Sequence, residues 1–388
     1  MLGFNRKMVI YKGGLMMANI PSLQIGVQIN EWYIHIKRFN VTDAEILKTE
    51  IERNLNDMEE DQDVLLYFQL MEFRHRLMLD YLNPSENRMN KADYLREVEG
   101  QGKRLTGLLE YYFHFFKGMY EFSKGEYLRA ITFYRRAEKK LSQVSDEIER
   151  AEFYYKISEV FYHMKQTHMS MYYVKLAYDT YTANSTYVIR EINCLTVVAG
   201  NYIDLKTHEK ALVHFENTLK IARSLGNDSM VTKALLNVGC CHNDMGQYDK
   251  AVSFFHSAVE VGEKIKAKEL IQAYYDLALI YLRKGERETG VSFFEKSLEY
   301  VQFFEDALFG RVLNVLKALY IDLGDREHVL CAMNELRNAA GFPYLEELAL
   351  EAAEFYNRLE RLDDSVYFYR QMIDAQKQIR RGDGLYEF

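Results

Sequence analysis

The chain has 388 residues, 48% of them hydrophobic and 27% charged, which is enough for two or more domains or a long repeat array of globular composition. A formal charge of −8 and the lack of any long Lys/Arg run argue against nucleic acid as a partner. Only three prolines occur (Pro21, Pro84 and Pro343), too few for a turn-rich β architecture, so the expected class is all-α.

Residues 1–20 read as an extension. MLGFNRKMVIYKGGLMMAN carries basic residues, but its apolar stretch is split by Lys12 and two glycines, which does not suit a signal peptide. The extension is expected to be disordered, with Met16 or Met17 as an alternative translation start. No run approaches the ~20 apolar residues a membrane span needs, so a cytoplasmic location is expected. Cys194, Cys240, Cys241 and Cys331 are too scattered for a disulfide framework and read as reduced, mostly buried thiols.

Residues 21–83 show helical periodicity without a repeat. Ile25, Ile29, Trp32 and Ile36 mark one helix; Leu47, Ile51, Leu55 and Met58 a second; Leu65, Phe68, Met71 and Leu79 a third. Thr42 or Asp43 can cap the second and Asp61 the third. Asn83-Pro84-Ser85 ends this three-helix bundle, and a polar linker covers residues 84–104.

From residue 105 to 388 a pattern returns: a small residue, an aromatic three or four on, a second small residue about twelve after the first, and an aromatic four later. It is visible in GMYEFSKGEYLRAITFYRRA, AGNYIDLKTHEKALVHFENT and GCCHNDMGQYDKAVSFFHSA. The second small position falls at Ala130, Ser170, Ala211, Ala251 and Gly290, spaced 40, 41, 40 and 39 residues, with weaker copies at Val329 and Ser365. Small residues let paired helices approach and aromatics fill the space between pairs, so the pairs stack into a right-handed superhelix with a concave groove. The pattern resembles the tetratricopeptide repeat with a lengthened period; HEAT-like repeats are the alternative.

The run MEEDQDVLLYFQLMEFRH, Met58 to His75, places five polar residues, Glu59 to Asp63, ahead of the third helix. A calcium loop counted from Asp57 has Gln62 where the tight turn needs Gly and Phe68 where a bidentate Glu belongs. Glu72 and His75 form an ExxH, but a di-iron site needs a second one and none occurs, so His75 reads as a packed or surface histidine. Hydrolase elbows, P-loops and HExxH motifs are absent, and no dedicated metal or cofactor site is expected. Two readings stay open for the turn. It is either a solvated connection or a place where the Gln62 amide, one donor and one acceptor, holds a water in line with a phosphoryl group.

INEWYIHIKRFNVTDAEILKTEIE, MEEDQDVLLYFQLMEFRHRLMLDYL, LTGLLEYYFHFFKGMYEF and the closing GDGLYEF resemble the Rap family of bacterial regulators, from about residue 20 to the end. The resemblance implies a bundle joined to a tetratricopeptide array. It also implies action on response regulators: some members remove phosphate from the phosphoaspartate of the sporulation-phosphorelay regulator. Others sequester a DNA-binding, competence-type regulator without hydrolysis, and short Phr signalling peptides bound to the array inhibit either activity. Carried onto this chain, Glu60, Asp61 and Gln62 are the inserting residues and Gln62 positions water. The regulator, not this chain, supplies Mg.

The family's peptide-anchoring residues match Asp204 in AGNYIDL and Asn237 in ALLNVGCCHN, with Asn201 and Asn243 as further candidates. Peptide binding is expected to favour a compact array and to draw the bundle's Gln62 surface under cover. A co-chaperone that binds acidic tails would need a repeated clamp, which Lys210, Lys233 and Lys250 do not form.

Overall fold

The computed structural model describes residues 20–82, 106–338 and 340–380. The chain divides into two compact units, Met1–Arg104 and Leu105–Phe388. Residues 1–19, the linker expected at 84–104 and the closing GDGLYEF lie outside the described residues. Among the described residues every regular element is helical, and the sole extended pairing is an isolated bridge between Ile20 and Met58.

The first unit contains α1 (Ser22–Lys37), α2 (Val41–Asn54) and α3 (Gln62–Leu82). The apolar face expected of α1 is completely buried at Ile25, Ile29, Trp32 and Ile36; α1 packs against α2 and α3, on which Ala44, Ile51, Leu70, Met71 and Met78 are buried as well. Trp32 packs on Phe68 with ring centroids 5.5 Å apart. Two expectations need correction. Asn40, not Thr42 or Asp43, caps α2, its side chain accepting the Asp43 N–H. The second helix also stops at Asn54: Leu55–Asp57 tightens into a 3₁₀ turn, and Met58 turns extended to pair with Ile20. Periodicity carried through that turn because a 3₁₀ segment still returns apolar residues to the same side.

The second unit is an array of helix pairs: α4 (Gly107–Ser123) with α5 (Tyr127–Glu138), α6 (Glu147–His163) with α7 (Thr167–Thr182), α8 (Val188–Asp204) with α9 (His208–Ser224), α10 (Asp228–Asp244) with α11 (Tyr248–Ile265), and α12 (Leu270–Arg283) with α13 (Arg287–Phe304). Two further pairs follow, α14 (Ala307–Leu316) with α15 (Arg326–Asn334), and α16 (Phe342–Arg358) with α17 (Leu362–Arg380). The small positions Ala130, Ser170, Ala211 and Ala251 are fully buried, as is Val329, and Ser365 nearly so. At Gly239 of α10 a Cβ would stand 2.6 Å from the Phe255 ring of α11. The aromatic of one helix therefore rests directly on the bare backbone of the other, and the pair's spacing is set there.

The α14–α15 pair is irregular: Lys317–Ile321 is π-helical. Arg287 compensates, donating to the carbonyls of Tyr320 at 3.0 Å and Ile321 at 2.7 Å. All four cysteines are free; Cys194 and Cys241 are buried, Cys240 is half-buried and Cys331 is exposed.

A Gly239→Ala substitution forces its methyl into the Phe255 ring. Urea unfolding followed by far-UV circular dichroism is expected to show the array destabilised by about 1–3 kcal/mol.

Candidate functional site

Two regions carry unexplained polar chemistry, one in each unit. In the first unit the polar turn is held by the start of α1. The Ile20 N–H donates to the Asp57 carbonyl at 2.9 Å, and the Glu59 N–H to the Ile20 carbonyl at 3.0 Å. The Ser22 N–H, an open donor of α1's first turn, donates to Glu59 Oε1 at 2.8 Å. Asp61 Oδ1 accepts the N–H groups of Asp63 at 3.0 Å and Val64 at 3.2 Å, so Asp61 caps α3 as its spacing indicated. The Ser22 hydroxyl, followed by the backbone donors of Val64 and Asp63, holds the Asp61 carboxyl below the usual carboxylate range.

The five polar residues thus divide into two groups. Glu59 and Asp61 are committed to the backbone ends of α1 and α3, while Glu60, Gln62 and Asp63 are exposed. Gln62 is the first residue of α3, and its amide makes no hydrogen bond among the described residues. The turn presents a free amide on a rigid base. Farther along α3, the Trp32 indole donates to His75 Nδ1 at 3.3 Å, which leaves the proton on Nε2, 3.5 Å from Glu45 Oε1. Burial first, then Lys48 and the neighbouring arginines, pushes His75 down to about 4. The ExxH histidine is therefore a neutral core residue.

In the array, the polar residues of the first helices face one another. Glu347 on α16 lies within electrostatic reach of Lys165, Asp204 and Asp244, which belong to three earlier pairs. Lys233, Asn237, Cys240 and Asp244 follow one another by four, three and four residues along α10, so they share one stripe of that helix. That stripe meets its neighbours on both sides, since Lys233 acts on Tyr162 of α6 and Cys240 donates to Asp276 of α12 at 3.5 Å. Asp204 and Asn237 therefore belong to the same inner face.

This face is short of partners. Asp204 Oδ1 takes the Lys165 ammonium at 2.7 Å, but its Oδ2 is buried with no hydrogen bond. Asn237 Nδ2 and Asn243 Oδ1 are buried and unpartnered as well. An unsatisfied buried polar atom costs roughly 1–3 kcal/mol, and Asp204 and Asn237 each carry one on this face. Asn201 acts differently. Fully buried, it donates to Ser170 Oγ at 2.8 Å and ties α8 to α7.

Burial works against the charge of Lys165, yet Asp204, with Tyr162 and Glu347, holds its pKa above the ordinary value. Glu347 is open to water, but the protein walls around it desolvate it and, with Asp244 and Asp204 nearby, push it up to about 7. Burial likewise pushes Asp276 to about 7.

Lys165, Asp276 and Glu347 were not singled out from the sequence, although one signal was available for Lys165. It occupies the left-handed turn position (φ 57°) that other repeats give to Gly125, Gly246 and Gly285. A non-glycine residue there costs about 1 kcal/mol, which Lys165 offsets by pairing with Asp204.

A family model described as response regulator aspartate phosphatase H, N terminal, matches residues 19–80, and tetratricopeptide-repeat models match residues 191–264 and 271–300. Response regulator aspartate phosphatase E of Bacillus subtilis (strain 168) is 47% identical over 374 residues, covering 96% of this chain and 100% of that protein. The chain belongs to the Rap family. Regulatory protein RapC of the same organism is 40% identical over 374 residues, 95% of this chain and 98% of the relative. The solved structure of a Rap protein complexed with competence and sporulation factor has 39% identity and a TM-score of 0.88, over 92% of this chain and 99% of that one. Both the bundle and the repeat array expected from the sequence are thus features of the Rap family. No helix among the described residues is long and apolar enough to cross a membrane.

Trp32 is the chain's one tryptophan and touches His75, so its fluorescence reads the bundle directly. Because the folded pKa of His75 lies below the unfolded 6.5, its contribution to stability is complete above 6.5 and is lost as pH falls toward 4. Between pH 7.5 and 4 the bundle is expected to lose about 3 kcal/mol through this group. In fluorescence-detected urea unfolding, His75→Phe should flatten that part of the slope.

Proposed function

We propose that this Rap protein removes the phosphoryl group from the phosphoaspartate of a sporulation-phosphorelay response regulator, and that a short Phr-type peptide seated on the array's inner face inhibits it. One observation carries the reading: the amide of Gln62 stands exposed and without a hydrogen bond among the described residues at the tip of α3, on a turn that Glu59 and Asp61 fix to the ends of α1 and α3. An aspartyl phosphate is already a reactive acyl phosphate. Orienting one water for in-line attack supplies much of the acceleration without a protein nucleophile. The amide accepts a hydrogen from that water while donating to a phosphoryl oxygen. Asp61 acts in this reading by fixing the first turn of α3, and Glu60 by meeting the regulator's surface beside the phosphorylated site.

The magnesium ion of the reaction belongs to the regulator's own acidic pocket, and the Rap chain contributes no ligand to it. Both partners of the reading, a regulator and a reimported peptide, place the protein in the cytoplasm. On the array, Asn237 pairs with a peptide C=O and N–H together, holding the peptide extended whatever its side chains, and Asp204 Oδ2 accepts one further donor.

A second reading, sequestration of a DNA-binding regulator without hydrolysis, is favoured by the naming of a relative 40% identical to this chain only as a regulatory protein. Phosphate release from a phosphorylated receiver domain separates the two. Wild type is expected to accelerate it and Gln62→Ala to slow the accelerated rate about 100-fold while still binding. Equal rates with and without the wild-type protein, alongside retained binding, would remove the phosphatase reading and leave sequestration.

For the inhibitory site, Asn237→Ala removes both hydrogen bonds to the peptide backbone. Calorimetric titration with the cognate peptide should show affinity about 10- to 100-fold weaker, with phosphatase activity in the absence of peptide unchanged.

A further inference from the structure

The last helix of the array, α17, is apolar on two sides. One side carries Ser365, Phe368 and Ala375, which are buried. The other carries Leu362, Val366, Tyr369 and Ile373, exposed by 62%, 50%, 36% and 44%. Their spacing of four, three and four residues puts all four within about 60° of one another on the helix. It is the alternation of core positions in a coiled-coil seam.

The repeat register explains this side. One residue after the small position, earlier second helices carry Met171, Leu212, Val252 and Val291, and all four pack against buried core clusters. Eight residues after it, Tyr178, Leu219, Val259 and Leu298 are buried or pack the same way. In α17 the corresponding residues are Val366 and Ile373, and they lie in solvent. The helix presents the side that a second helix ordinarily gives to the next repeat, and no helix follows it among the described residues. A terminal repeat normally carries a polar outer face there.

We infer that this stripe is covered by α17 of a second copy of the chain, the two helices running antiparallel about a two-fold axis between residues 367 and 368. In that register Leu362 meets Ile373 of the other copy and Val366 meets Tyr369, each contact occurring twice, so the stripe is self-complementary as an isologous interface requires.

Charge supports the same occupant and the same register. Asp363 and Arg370 flank the stripe, both exposed and neither in an ion pair among the described residues. The axis brings Asp363 of each copy opposite Arg370 of the other. The helix also suits close approach of like chains. It carries three acidic residues (Asp363, Asp364, Asp374) and three basic (Arg370, Lys377, Arg380), so it is neutral within a chain of charge −8. A seam of one helix per copy falls at the small end of specific interfaces, the class of weak association, and a dissociation constant of roughly micromolar order is the expected outcome.

Sedimentation velocity of the full chain from about 1 to about 100 µM reads the prediction. Wild type is expected to pass from monomer to dimer, and Val366→Glu with Ile373→Glu to weaken association about 100-fold or more, since both positions are exposed in the monomer and leave its fold intact. Asp363→Arg alone and Arg370→Asp alone should each weaken the dimer, because each sets like charges opposite one another. Mixing those two variants, or combining both changes in one chain, restores opposite pairs and should restore association.

A wild type that stays monomeric throughout overturns the proposal. So does a dimer unaffected by the Val366 and Ile373 changes, which lies on another surface. Loss of the dimer without rescue by the charge exchange overturns the antiparallel register. If only a chain ending at Arg380 associates, the stripe is covered by the chain's own last residues and the proposal fails.

Discussion

The contact on which the array depends is that of an aromatic ring with bare helix backbone. Phe255 rests where Gly239 has no side chain, and Tyr162 lies against Gly200 in the same manner. Such contacts recur with the period of the sequence, so each pair meets its neighbour at a similar spacing, and the polar residues of the first helices end on one face. If the rings were held off by a methyl group, the pairs would splay. Glu347 would then lose the electrostatic reach to Lys165, Asp204 and Asp244 that defines the inner face.

That inner face keeps buried polar atoms at a cost in stability. Asp204 and Asn237 there each leave a buried polar atom without a hydrogen bond. Other carboxylates of the array are served by several donors. Glu152, fully buried, takes Arg190 at 2.9 Å and the Tyr181 hydroxyl at 3.2 Å, and Glu263 takes the hydroxyls of Tyr274 and Tyr300. Asn201 stands between the two groups: its Nδ2 ties α8 to α7 through Ser170, while its Oδ1 is buried without a partner.

Much of this was legible in the sequence, and the limits have physical reasons. Periodicity located the buried faces of α1 and α3 and the close-packed positions of seven helix pairs, because packing imposes a repeat on composition. It overran α2, because Leu55 and Met58 stay apolar after the helix has ended. It missed the π-helical Lys317–Ile321, whose composition is that of an ordinary helix and whose support, Arg287, lies 30 residues or more away in the chain. It singled out Asp204 but not Lys165, 39 residues earlier, since nothing local says that a lysine at a turn will meet a carboxylate of the next pair. The exposed stripe of α17 has the same apolar spacing as a buried one, and only the absence of a following helix among the described residues sets it apart.

The polar turn illustrates why composition alone leaves the role of such a segment open. Five consecutive polar residues suit a solvated connection, a metal loop or a reactive edge equally well. Geometry divides them, because each helix start exposes N–H groups that some acceptor must satisfy. Glu59 and Asp61 are drawn to those groups, so neither carboxylate is free to act as a base. Of the three residues left exposed there, Glu60 and Asp63 are carboxylates and Gln62 alone is neutral. For a reaction at a phosphoryl group already crowded with negative charge, an uncharged amide approaches where a carboxylate would be repelled. Glu59 and Asp61 stiffen the turn and the amide faces outward, so in the proposed reaction Gln62 is the group that orients water for in-line attack on the acyl phosphate.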